Sequence, residues 1–303
     1  MATRALFGDL LTPGFREIFY EKFKQQEMVM DSIFHINTSE KADEKDSSVS
    51  GFGLAVQVAE GAPIDYEDPV QGYDTTYSHV KYVKGFKITQ EMYDDDLYNI
   101  MNKRPAALGS AMRRTAENQA ASVFNNAFST SYLGADSDPL ASTLHGRPDG
   151  GSNQSNASAT AVTLSETNLE TGRIAMANQL DDKGQIIDVS ADTLLVPLAL
   201  EKTAHQIVDS TLRQGTADND MNFNKGRFNI KVWKFLTSTT AWFLLDSSNH
   251  ELNWFWRKRP EFKQDELFDT EVAVYKSSMR LSKGWSDWRG VWGSQGTTVA
   301  YSS

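Results

Sequence analysis

Five histidines, His35, His79, His145, His205 and His250, are the side chains here best suited to moving a proton or holding a metal near neutral pH. No two of them stand at a short metal-ligand spacing, and no His-Glu-x-x-His occurs. With no cysteine in 303 residues there are neither thiolate ligands nor disulfides. Gly51-Phe-Gly53 begins like a dinucleotide fingerprint but has Val56 where the third glycine would stand, and no Gly-Lys-Ser/Thr loop is present to cradle a phosphate. Ser286 is not in a Gly-x-Ser-x-Gly elbow. Asp94-Asp95-Asp96 offers three carboxylates, but consecutive residues on a helix face different ways. They read as a solvated helix start favoured by the helix dipole. Trp285, Trp288 and Trp292 could stack on sugars, although their large apolar area suits a core or a subunit interface better. The sequence predicts no catalytic residue, no cofactor and no metal, hence a protein that is not an enzyme. A hydrolase site assembled from distant residues is the reading this search leaves open.

Composition narrows the class. A formal charge of −10 without any run of Lys and Arg argues against a general nucleic-acid binder, since phosphate neutralisation needs clustered cations. No apolar run approaches the ~20 residues of a membrane-spanning helix, and Met1-Ala-Thr-Arg lacks the apolar core of a signal peptide. The expectation is a soluble, non-secreted protein with one large or two ordinary domains.

The most strongly helical stretch is Ile88 to Ser129. Thr89 is a suitable N-cap, and Met92, Leu97, Ile100 and Met101 give a first helix that Pro105 ends or kinks. Leu108, Met112, Ala116, Ala120, Val123 and Ala127 then recur every three or four residues. From Pro105 to Ser129 this second helix would span about 37 Å, so it needs a surface to lie on. Residues 1 to 50 read as an arm, with a short helix from Thr12-Pro13-Gly14 through Phe15, Ile18, Phe19 and Phe23, docked on a neighbour or on its own core, and a charged tail from Lys41 to Ser50. Gly51 to Lys87 reads as a long β-hairpin. Leu54, Val56 and Val58 alternate outward, Val80, Tyr82, Phe86 and Ile88 alternate on the return, and two prolines mark the tip between Glu60 and Gly72. Such a hairpin is marginal alone and needs support from its own sheet or from another subunit.

A Gly-, Ser- and Asn-rich segment follows from Leu133 to Thr163. Thr163-Leu-Ser-Glu166 matches a capping box for a helix ending near Asp181-Asp-Lys-Gly184. Asp192 to Pro197 is a buried strand, leading into a helix with Ala204, Ile207 and Val208, and Phe228 to Phe235 and Ala241 to Leu245 are further strands. Leu252 to Trp256 and Thr270 to Met279 have strand composition again. An antiparallel sheet of these is what the long helix could lie across, with the α/β unit inserted between.

This order of parts carries a resemblance. Glu60-Gly-Ala-Pro-Ile-Asp-Tyr-Glu-Asp-Pro-Val-Gln-Gly-Tyr73, Val80-Lys-Tyr-Val-Lys-Gly-Phe-Lys-Ile-Thr-Gln-Glu-Met-Tyr-Asp-Asp-Asp-Leu97, Glu251-Leu-Asn-Trp-Phe-Trp-Arg-Lys-Arg-Pro260, Phe268-Asp-Thr-Glu-Val-Ala-Val-Tyr-Lys276 and Gly284-Trp-Ser-Asp-Trp-Arg-Gly-Val-Trp-Gly293 resemble the major capsid proteins of tailed bacteriophages, in particular Mu-like major head proteins. The resemblance implies the α+β Hong Kong 97-type capsid fold. Its parts would be an N-terminal arm at 1–50, an extended loop at 51–87, a peripheral domain with its spine helix at 88–134, an axial domain at 135–250, and return strands and C-terminus at 251–303. It further implies pentamers and hexamers closing into an icosahedral shell around double-stranded DNA, a virion location, assembly in the bacterial cytoplasm, and portal and possible decoration proteins as partners, with no membrane. The tip from Glu60 to Tyr73 has no lysine, and Lys81, Lys84 and Lys87 lie at its base, so no covalent cross-linking is expected. The start at Met1 with arm-like sequence implies a separate scaffolding protein and no maturation cleavage. Candidate interface residues are Phe15 and Phe19 in the arm, Tyr66, Asp68 and Tyr73 in the loop, and Arg257, Lys258 and Arg259 as partners for a neighbour's acidic loop; each has ordinary packing or solvation as its alternative. An encapsulin-like compartment shell and a Trp-rich carbohydrate-binding module are the competing functions.

Overall fold

The computed structural model describes residues 5–25, 27–64, 66–69, 71–89, 91–92, 100–213, 220–267 and 272–296. The elements in chain order are α1 (Ala5–Lys24), β1 (His35–Thr38), β2 (Asp43–Val49), β3 (Gln71–Ser78), β4 (Val80–Thr89), α2 (Ile100–Asn125), α3 (Glu166–Ala177), β5 (Thr193–Val196), α4 (Glu201–Val208), β6 (Asn229–Val232), β7 (Trp242–Leu245), β8 (Leu252–Leu267), β9 (Val272–Trp285) and β10 (Val291–Ser294). Three sheets result, in the orders β1-β8-β9-β4, β10-β7-β5-β6 and β2-β3. The chain divides into two compact units, one of Met1–Glu44, Tyr77–Ala120 and Trp254–Lys283, the other of Lys45–Thr76, Ala121–Asn253 and Gly284–Ser303. This division departs from the expected one at several boundaries, because each unit is completed by strands distant in sequence.

The first unit is a sheet covered by helix. β4 runs antiparallel to β9 from Val80 opposite Leu281 to Thr89 opposite Val272. On one face Phe86 stacks on Tyr275 at 5.0 Å and Phe262 lies 5.9 Å from the same ring. α1 closes this aromatic layer. Phe15 meets Tyr275 edge-on at 5.4 Å, Phe19 sits 5.4 Å from Phe262, and both phenylalanines are buried. Docking on the chain's own sheet thus hides both candidates within the subunit, and each fully buried aromatic contributes about 1.5–3 kcal/mol. α2 packs on α1 through Gly109, where a Cβ would stand 2.5 Å from the Phe19 carbonyl oxygen. The buried Glu117 on α2 accepts the Val29 N–H at 2.7 Å.

Lys283 on β9 donates to Gln119 Oε1 on α2 at 2.7 Å, and burial lowers its pKa from 10.5 to about 8. Below pH 8 the folded chain holds a charge that burial disfavours. Between about pH 8 and 10.5 it sheds that proton while the unfolded chain keeps it, so stability rises with pH across this window. We expect a rise on the order of 2 kcal/mol, allowing for partial exposure. Lys283→Met should be more stable than the parent at pH 7 and lose the rise, which urea midpoints between pH 7 and 10.5 will show.

The second unit is a small α/β layer. β5 is parallel to β6, reached through α4, and antiparallel to β7, which pairs in turn with β10. Leu194, Val196, Trp242, Leu244 and Trp292 form its core with Leu169 and Met176 of α3 and Ala204 and Val208 of α4. α3 approaches closely at Gly172, where a Cβ would lie 3.0 Å from Leu244 Cδ1 and Trp292 Cε3. Ser165, not Thr163, caps α3 by accepting the Asn168 N–H at 3.3 Å.

Other expectations are also revised. Pro105 lies inside one continuous α2 and Pro13 inside α1. A proline within a helix costs about 3 kcal/mol, which the buried Met101, Leu108, Met112, Ala116 and Ala120 of α2 offset. The charged stretch from Lys41 to Ser50 is largely strand, because β2 pairs with β3. Leu54, Val56 and Val58 form no strand. After β9 the chain does not finish in the first unit; β10 joins the second sheet. Leu97 and Asp94 to Asp96 lie outside the described residues, while Thr89 Oγ1 does accept the Met92 N–H at 3.3 Å as expected of a cap.

Candidate functional site

The excursion between β2 and β3 is the most exposed apolar stretch of the chain's described residues. Phe52, Leu54 and Val56 are 70, 78 and 62% exposed, and Ile64 and Tyr66 are open as well. Their alternation suits a strand, but in the isolated chain it meets no pairing edge, so the limb stays irregular. Glu67 organises what order the loop has. Its carboxylate accepts the Gly53 N–H at 2.7 Å and pairs with Lys183 Nζ at 2.6 Å. Lys183 foremost, then the Gly53 N–H, holds its pKa below the usual carboxylate value.

The other expected interface residues fall apart in setting. Tyr66 and Asp68 are exposed on the loop. Tyr73 is half-buried and donates its hydroxyl to the Gly146 carbonyl at 3.4 Å; burial, then the charges of Asp136, Asp182 and Asp138, raises its pKa. Lys258 pairs with Glu261, and the Arg259 guanidinium lies 5.8 Å from the Trp256 ring centre. Arg257 is half-buried with its Nε lacking a hydrogen-bond partner.

One histidine stands in a constellation that no short sequence spacing signals. His145 Nδ1 lies 2.6 Å from Asp136 Oδ2 and Nε2 lies 3.0 Å from Asn156 Oδ1, while the ring stacks on Trp288 at 4.2 Å. Asp138 is close by, its pKa raised chiefly by burial. Three potential ligands meet there, but both imidazole nitrogens are already engaged. Asn156 is fixed too, accepting from Ser142 N at 2.8 Å and donating to Leu140 O at 2.7 Å. The cluster is a clasp that orders 136–156, where the sequence suggested only a loop. Trp285, Trp288 and Trp292 are buried, which removes the platform a sugar would need.

The chain thus presents a packed α+β scaffold with an exposed apolar loop and polar clusters occupied by internal bonds. Solved structures share this architecture. The chain is similar to a protein of Mycobacterium phage Cain at 15% identity, covering 91% of this chain and 92% of that one with a TM-score of 0.55. It is similar to the capsid of cyanophage P-SCSP1u at 13% identity, covering 88% of both with a TM-score of 0.58. A virus-like particle from Pyrococcus furiosus aligns at 8% identity over 92% of this chain and 97% of that one, TM-score 0.54. Among curated sequences, none matches. The fold is the Hong Kong 97-type capsid fold. The chain belongs to the phage capsid protein family, whose profile matches residues 72–294, about three quarters of its length. It is a major capsid protein, a structural component of the phage head.

Proposed function

We propose that this subunit assembles with copies of itself into pentamers and hexamers that close an icosahedral shell around double-stranded DNA. The observation that carries this reading is the extended loop: apolar side chains at Phe52, Leu54 and Val56 left in water by a subunit whose remaining large apolar residues are mostly in cores. A contact through such a loop is heterologous, and heterologous contacts that close by rotation make rings. Residues 135–250 serve as the axial domain at the ring centre. Tyr66 and Asp68 of the loop meet a neighbour, and Arg257, Lys258 and Arg259 receive its acidic residues. Cross-linking is absent from this scheme, since no lysine lies between Glu60 and Tyr73. A separate scaffolding protein, a portal and any decoration protein complete the head in the bacterial cytoplasm, and no catalytic step belongs to this chain. The family match favours a phage head over a cellular compartment. Sedimentation velocity of the chain, purified alone and co-expressed with its neighbouring reading frames, tests the proposal: ring-sized or shell-sized boundaries are expected in at least the co-expressed preparation, and a monomer at every concentration and salt in both would refute it.

A further inference from the structure

The geometry points to the Asp181–Gly184 turn as a dock that aims the extended loop from within its own subunit, with Lys183 and Glu67 as its latch. Lys183 stands on a braced turn. Asp181 Oδ1 accepts from Lys183 N at 2.8 Å and Gln185 N at 2.7 Å. Gly184 turns the chain at φ +77°, with Arg147 Nη1 2.9 Å from where a Cβ would be. On the same turn Arg289 pairs with Asp182 at 2.9 Å and donates to the Leu180 carbonyl at 2.7 Å.

From this rigid base the ammonium reaches the Glu67 carboxylate, whose other oxygen holds Gly53 N–H on the outgoing limb. Both limbs of the loop therefore hang on one carboxylate. The pair is accessible enough to open: the Glu67 side chain is 37% exposed and that of Lys183 17%. A charge-assisted tie of this kind fixes direction while remaining exchangeable, which buried apolar packing would not. In the unassembled subunit the latch limits the positions the loop samples. Its use in assembly rests on the shell reading above, but the latch itself does not.

Limited proteolysis of the full chain, dispersed as subunits, tests it. Trypsin has no site between Lys45 and Lys81, whereas chymotrypsin can cut after Phe52, Leu54 and Tyr66. Lys183→Met and Glu67→Gln should each speed cleavage at these loop sites about fivefold relative to sites elsewhere, with unchanged melting, because cleavage follows the open population. Lys183→Arg should keep the slow rate. Loop cleavage at the parent rate in both variants, or acceleration at every site alike, would overturn the latch; neither result depends on whether shells form.

Discussion

Replacing Arg289 with leucine should lower the unfolding free energy by about 3–5 kcal/mol, the loss expected when one partner of a buried ion pair is removed. Arg289 bonds Asp287 and Asp182 at 2.9 Å each, donates to Leu180 O, and lies 4.9 Å from the Trp288 ring centre. Burial alone would lower its pKa; Asp287 and Asp182 outweigh that and raise it. The leucine variant leaves both carboxylates without this cation in a partly dry site. Adding Asp182→Ala and Asp287→Ala to Arg289→Leu should recover much of the loss, because no uncompensated charge then stays buried. Urea unfolding of the parent, the Arg289→Leu variant and the triple variant measures both effects. A loss below about 1 kcal/mol for Arg289→Leu would show that the pair behaves like an exposed surface bridge.

The second large effect separates folding from assembly. Phe52→Ser, Leu54→Ser and Val56→Ser combined should shift subunit stability by less than about 0.5 kcal/mol, since exposed positions contribute little, yet abolish shells. If a neighbour buries even part of these side chains, each contact loses about 3 kcal/mol, which is roughly a hundredfold in affinity. A shell multiplies that loss over all its contacts. Light scattering reports assembly and thermal melting reports the subunit. Normal shells from the triple variant would remove the loop from the assembly interface.

The legible parts of this chain were those whose burial is local. β5 and β7 are short, largely apolar strands buried along their whole length, and α3 carries its cap and apolar stripe within a dozen residues. Misreadings arose where a distant partner decides. β2 looks like a solvated tail because its strand character comes from β3, while Leu54 and Val56 look like a strand but have no edge to pair with. Pro105 would break an isolated helix, yet the packed face of α2 carries the helix through it. The family phrases pointed to the loop as the feature to watch. They could not show that Phe15 and Phe19 are buried inside the subunit, that Tyr73 is tied to Gly146, or that Lys183 reaches Glu67 from a turn far along the chain.

Electron microscopy of the chain, purified alone and co-expressed with its neighbouring reading frames, tests the central claim most directly. The account predicts pentameric and hexameric rings or closed icosahedral shells in at least the co-expressed preparation. A monodisperse monomer or small dimer in both would contradict it.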